Sequence, residues 1–329
     1  MLSYNDVYGQ LYIKNYLKQI KEKKDISHAY IIEEDSGMGA EKLAFAWAAH
    51  LLCESHEAES CQSCHSCRQM AANSHPDFIL IEAKNKKSIG IKDIREYVGD
   101  TINLLPYYGG YKIYIIKDAQ NITVQAQNAL LKTIEAPPMY AVIILLCTNT
   151  DLLLETIKSR CIKLRLRYET EASIKKGLLL LGAAEAEAEI YASYSGGNMG
   201  TAQRLLLDED FRKLFLENIN ILENIGRGAG GSLVNALEVL KQRNGDFNEF
   251  IEFCRLWYRD ALILKKMNKR DRLIFKANYT SLKSLADNLR YSDFYRIFSA
   301  FDKAYDRLKA NVNIDILMQI LLSELKMKL

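Results

Sequence analysis

A chain of 329 residues with 49% apolar and 26% charged residues can bury two or three proper cores, which excludes a disordered or low-complexity protein. Its formal charge of +3 decides neither for nor against nucleic acid, because a modest total is compatible with one basic face. No stretch approaches the ~18 uninterrupted apolar residues of a membrane span, and Met1–Asp6 lacks the basic-then-apolar pattern of a secretory signal, so a cytoplasmic location is expected.

The first periodic segment places Ile13, Tyr16, Leu17 and Ile20 at i, i+3, i+4, i+7 and predicts a helix that stops in the polar run Lys21–Asp25. A short apolar run, Ala29–Ile32, then leads through Glu33–Gly39 into a helix over Ala40–Leu52. Strand, glycine-bearing turn and helix N-terminus make the layout of a phosphate-binding loop, whose working form reads G-x-x-x-x-G-K-[ST]. Gly39 fits the second glycine, and Gly37 lies in the same turn. Glu34 replaces the first glycine, Ala40 the lysine and Glu41 the hydroxyl. Lys42 is no substitute, because two helical positions turn a side chain by roughly 200°. Taken alone, the stretch reads equally well as an ordinary strand–turn–helix.

Cys53, Cys61, Cys64 and Cys67 follow within fifteen residues, and Cys147, Cys161 and Cys254 stand apart. The density and two-residue gaps suit a closed, structural zinc site with four thiolate ligands. Iron–sulfur is the chemical rival, but that run needs a fourth downstream cysteine followed by proline, where Ala71 and Ala72 stand. Free thiols and a redox role stay open, as does a ligand role for His56, His65 or His75.

Further strands are predicted at Phe78–Ile81, Ile113–Ile116, Ala141–Cys147 and Ile162–Leu166. Between them, Ile91, Ile94 and Val98 share one helical face, and Ala126, Ala129, Leu130 and Thr133 another. Strands alternating with helices imply a mainly parallel sheet covered on both sides. The third strand of that sheet ends in Lys117-Asp118, where a phosphate-loop ATPase carries a Mg²⁺-associated acid. Thr148-Asn149 ends the next strand, and Ser159-Arg160-Cys161 precedes the last. Residues 1–166 thus read as one α/β domain with a cysteine module at about 50–77.

Strand signals stop after Leu166. Helices are predicted at Glu169–Leu181, Ala183–Tyr194 and Thr201–Leu207, with a turn at Ser195–Gly200, which makes 167–207 a small helical unit. Helices at Asp210–Ile225, Leu233–Gln242, Phe247–Lys266, Leu282–Arg290, Ser292–Lys309 and Asp315–Lys328 make 208–329 all-helical. Tyr258 and the other aromatics of this part are expected to pack helix on helix.

Several stretches, weak singly, coincide in order and spacing with one family. They are Val7-Tyr-Gly-Gln10, Ser27-His-Ala-Tyr30, the four cysteines, His75-Pro-Asp77, Leu130-Leu-Lys-Thr-Ile-Glu-Ala-Pro137, Ser159-Arg-Cys161, Ser195-Gly-Gly-Asn198 and Asn311-Val-Asn313. The chain resembles the bacterial clamp loaders of the AAA+ class, in particular the delta-prime subunits of DNA polymerase III. The likeness is strongest over 27–167 and thin over 208–310.

The resemblance implies an AAA+ sheet domain with the zinc module, a small helical lid and a helical collar. It implies partners as well: gamma/tau and delta subunits in a hetero-pentameric ring that spends ATP to place a sliding clamp on primer-template DNA. Motor subunits keep the lysine, the hydroxyl and the strand-end acid, where this chain has Ala40, Glu41 and Lys117. Gly200 falls where motors usually carry a second sensing arginine. The resemblance therefore implies a non-hydrolysing subunit with structural Zn²⁺, and assigns Arg160 to a neighbour's ATP, as a finger supplied in trans. From position alone Arg160 also reads as a residue that satisfies carbonyls at a helix end. Two other readings compete: an ATP-hydrolysing gamma/tau-type motor with an unusual site, and a stand-alone zinc-dependent DNA-binding protein. Against the latter, His50–Asp77 holds one arginine and no lysine.

Overall fold

In a computed structural model the structure describes residues 3–55, 59–83, 87–108, 110–226, 236–238, 240, 247–309 and 313–325. His56, Asn311-Val312, most of the helix expected at Leu233–Gln242, the break after Gly226 and the last residues of the chain lie outside them. Two compact units divide the chain. One comprises 1–173 with 198–201, the other 174–197 with 202–329.

The first unit is built on five parallel strands: β1 (Ala29–Glu33), β2 (Phe78–Ile81), β3 (Lys112–Ile116), β4 (Ala141–Cys147) and β5 (Ile162–Arg165), in the order β2-β3-β4-β1-β5. Strand β4 is buried over its whole length, as expected of a continuous apolar run in a sheet covered on both faces. Alternate strand residues feed two cores. Tyr30, Ile32, Ile113, Ile115 and Ile144 pack with helices α1 (Leu11–Glu22) and α2 (Ala40–Leu52). Ile31, Tyr114, Ile116, Ile143 and Leu145 pack with Ile94, Ala126 and Leu130 on the other side. Helix α2 is buried nearly all round, and Trp47 meets Tyr30 edge-on at 4.4 Å.

On the other face, the helix Val124–Glu135 buries Ala126, Gln127, Leu130 and Ile134, so its inward stripe runs one residue beyond the expected Thr133, which is half-buried. The Val7-Tyr-Gly-Gln10 stretch is a structural hook. Gln10 donates from Nε2 to the Arg167 carbonyl at 2.6 Å and accepts the Arg167 N–H at 3.0 Å.

The second unit is helical among its described residues. Its helices include Glu185–Tyr194, Glu209–Gly226, Phe247–Met267, Tyr279–Asn288, Tyr291–Lys309 and Ile314–Leu325. The expected turn at Ser195–Gly200 is shorter than predicted, because helix starts again at Met199. Aromatic rings fill the centre: Phe253 lies 5.4 Å from Phe215 and 5.1 Å from Phe275. Tyr258 is 1% exposed and donates to the Leu325 carbonyl at 3.0 Å, joining two helices 67 residues apart. Among the described residues no helix is long and apolar enough to cross a membrane.

Asp260 is fully buried on the Phe247–Met267 helix. Its Oδ2 accepts the N–H groups of Ile274 (2.6 Å) and Phe275 (2.9 Å), and Oδ1 meets the Arg259 guanidinium at 2.9 Å. Burial pushes its carboxyl up, and those donors pull the other way. Removing the carboxylate would leave two amides without partners, at roughly 1–3 kcal/mol for each buried group. Asp260→Ala is therefore expected to lower unfolding stability by about 2–4 kcal/mol. Urea denaturation checks this, and a loss below about 0.5 kcal/mol, the range of an ordinary surface change, would contradict it.

Candidate functional site

The turn between β1 and α2 is closed on its own side chains. Gly39, with φ +104°, caps α2 from the left-handed region, where only glycine sits without strain. The amides there face a carboxylate from the same turn. Glu34 Oε2 accepts the Ala40 N–H at 2.8 Å, with the amides of Gly39 and Met38 close by. Burial raises the Glu34 carboxyl above its usual range, with the three amides opposing and Glu41 adding to the rise. A helix N-terminus with free amides favours an anion, and here Glu34 is that anion. The methyl of Ala40 is buried in the core, and Lys42 stands exposed on α2, away from the turn.

A second contact holds the turn from residues 198–201. Asn198 donates from Nδ2 to the Ser36 carbonyl at 2.9 Å, while its Oδ1 accepts from Gly200 (3.0 Å) and Thr201 (3.2 Å). A Cβ on Gly200 would lie 1.7 Å from the Gly37 carbonyl oxygen, so no side chain, arginine included, fits there in this packing.

At the end of β3, the Lys117 ammonium lies 2.9 Å from Glu41 and 3.5 Å from Glu82. Burial would lower its pKa, but the hydrogen bond and charge of Glu41, with Glu82 behind, outweigh this and raise it. The Glu41 carboxylate and the Lys117 ammonium thus neutralise each other. The side chain of Asn149, at the end of β4, accepts the Asp151 N–H at 2.8 Å and serves as a local cap.

Cys53 follows α2, and Cys64 caps the N-terminus of α3 (His65–Ala71). The four sulfur atoms of Cys53, Cys61, Cys64 and Cys67 all lie within 4.8 Å of one another. The amides of Cys61, Cys64 and Cys67 donate to the sulfurs of Cys53 (3.3 Å), Cys61 (3.3 Å) and Cys64 (3.4 Å). Four soft donors converging at this spacing, with N–H groups directed at them, fit one tetrahedral metal ion. The neighbouring histidines do other work: His75 meets Ser66 Oγ at 3.2 Å and accepts the Asp77 N–H at 3.1 Å, and His65 meets the Tyr108 hydroxyl.

Arg160 sits just past the short helix Glu155–Lys158, with its side chain 40% exposed. Nη1 donates to the Thr156 carbonyl at 3.0 Å, and Nη2 pairs with Glu135 at 3.0 Å. Both are local anchors of the kind expected from a helix-end arginine. Nη1 also donates to Ser159 Oγ at 3.4 Å.

Residues 9–170 match the family model described as "DNA polymerase III, delta subunit". The chain is 35% identical over 192 residues to DNA polymerase III subunit delta' of Pseudomonas aeruginosa, covering 57% of this chain and 58% of that protein. It is 38% identical over 143 residues to the Escherichia coli delta' subunit, covering 43% and 42%. The matches thus span about half the length of these two relatives. The Bacillus subtilis delta' subunit is matched at 27% identity over 318 residues, covering 91% of this chain and 90% of that protein. Over this segment the chain is similar to the delta' subunits of DNA polymerase III. The segment matched to the family model contains the closed turn, the four cysteines and Arg160 together. Outside it, Asn198 and Asp260 escaped the sequence reading. Asn198 stood in a quoted motif that was legible only as a turn, and Asp260 carries no local signal at all.

Proposed function

We propose that this chain is a non-hydrolysing, delta-prime-like subunit of a clamp loader. It would join gamma/tau and delta subunits in a hetero-pentameric ring in the cytoplasm, which loads a sliding clamp onto primer-template DNA. The observation that carries this reading is the turn whose Ala40 amide is taken by Glu34, beside the Lys117–Glu41 pair, in a chain similar to delta-prime subunits. The ATP-hydrolysing gamma/tau alternative needs a lysine, a hydroxyl and a metal-binding acid, and Ala40, Glu41 and Lys117 stand there. We take residues 1–166 as the AAA+ domain with its module at about 50–77, 167–207 as the lid and 208–329 as the collar. Ile316 and Ile320 support a ring-forming collar, because Leu317 and Leu321 go into the core and leave these two exposed. Cys53, Cys61, Cys64 and Cys67 would hold one structural Zn²⁺. It would close a stretch too polar to form its own core, with no open position for chemistry.

The purified chain alone is expected to show no Mg²⁺-dependent ATP turnover. The doubly restored variant A40K/E41T is expected to stay inactive too, since Glu34 still meets the α2 amides. Titration with labelled ATP, alongside the stoichiometry and ATPase of the complex with its partner subunits, tests both statements. Turnover at micromolar ATP by the pure chain would return the gamma/tau reading.

A further inference from the structure

We propose that the four-cysteine centre sets the conformation of an exposed apolar segment, Leu104–Tyr108, and that it does so through the Tyr108 side chain. The proposal rests on the metal reading given above and adds a task for that metal. Leu104, Leu105 and Tyr107 are 60%, 78% and 76% exposed. Side chains left in water gain nothing from burial, so polar bonds must hold this segment in shape.

At its start Leu104 donates to the Thr101 carbonyl at 3.1 Å and accepts from Lys112 Nζ at 3.4 Å; two further sets of bonds hold its Tyr107–Tyr108 end. The first reaches the cysteine module only at second hand, through His75, which accepts the Asp77 N–H and meets Ser66 of α3: the carboxylate of Asp77, 2% exposed, accepts the N–H groups of Tyr107 at 2.7 Å and Tyr108 at 3.1 Å. The second comes from α3. His65 and Gln69, four residues apart on one face of that helix, both reach the Tyr108 hydroxyl at 3.1 Å. The ring of His65 also lies edge-on to Tyr108 at 5.7 Å.

Helix α3 has seven residues, well below the ~12–15 at which an isolated helix becomes even marginal in water. Met70 ties its far end to the core beside α2, and its start is made of ligands: Cys64 caps it and Cys67 lies in its first turn. Loss of the metal would loosen the start of this helix, and with it the grip on Tyr108. The competing account gives Asp77 sole control of the segment.

Amide hydrogen exchange on the full chain separates the two, measured with bound metal, after stripping by a chelator, and in Tyr108→Phe with metal retained. Metal content is followed by elemental analysis, so that failure of the metal reading is seen apart from failure of the coupling. Stripping is expected to speed exchange over 104–108 by at least about tenfold, together with 53–71, and to leave β4 unchanged. Y108F is expected to speed exchange over 104–108 alone, with metal at the wild-type level. Unchanged protection of 104–108 in Y108F overturns the proposal, even if stripping unfolds the whole unit. Unchanged protection after the metal is gone overturns it equally.

Discussion

Replacing Arg160 by alanine is expected to leave folding, metal content and assembly intact while nearly silencing one neighbouring ATP site. A guanidinium stays charged and presents a planar set of donors that bridges phosphate oxygens. Fingers supplied in trans are worth roughly 10³–10⁵ in rate in GTPase systems. One site among several would feel the loss, so DNA-stimulated ATPase and clamp loading of the whole complex should fall by less. The present partners do not bar this role. The pair with Glu135 is exposed on both sides, and exposed ion pairs contribute about 0–1 kcal/mol, so a polyphosphate can replace it. Lysine at this position should rescue poorly, since it keeps the charge without the fork. The measurement is steady-state ATPase and loading rate of the reconstituted complex. An R160A complex that assembles and loads at the unaltered rate would reduce Arg160 to its bonds with Thr156 and Glu135.

The second large effect is expected from Cys64→Ser. Cys64 is at once one of the four proposed metal donors and the cap of α3, its sulfur accepting the Cys67 amide at 3.4 Å. Serine is a good cap in its own right, so the substitution removes ligation while keeping much of the capping. Apparent binding free energies of structural zinc reach about 10–16 kcal/mol in small peptides, which makes the metal the main stabiliser of a module this polar. C64S protein should fall from about one equivalent of zinc to well below half, and limited proteolysis should cut within 53–71. The helices of 247–325 should stay resistant. Iron in the unaltered protein, or no metal after purification without chelators, would overturn the zinc assignment.

The features that were legible early are those written in local pattern. Strand β4 announced itself because seven successive apolar residues suit only a strand buried on both faces. Helix α2 began and ended where the glycine turn and Cys53 placed it. The four cysteines were readable as a donor set because covalent spacing alone brings such close neighbours within reach of one ion. The missing lysine, hydroxyl and acid were readable for the same reason, as identities at fixed positions.

What the local pattern could not carry is which distant groups meet. Asn198 reaches Ser36 across 162 residues, and Lys117 reaches Glu41 across 76. Asp260 serves amides 14 and 15 residues away, at an angle no helical period encodes. Even Glu34, six residues from its partner Ala40, read as a charge unfavourable to triphosphate. Only the backbone path of the turn shows its carboxylate returning to the Ala40 amide at the start of α2. By itself, then, the sequence determined the strands and helices and the clustering of the four cysteines, because these are short-range in the chain. The tertiary structure decided what filled the vacated positions, because hydrogen bonds and ion pairs depend on the juxtaposition of elements that the chain joins only through long connections.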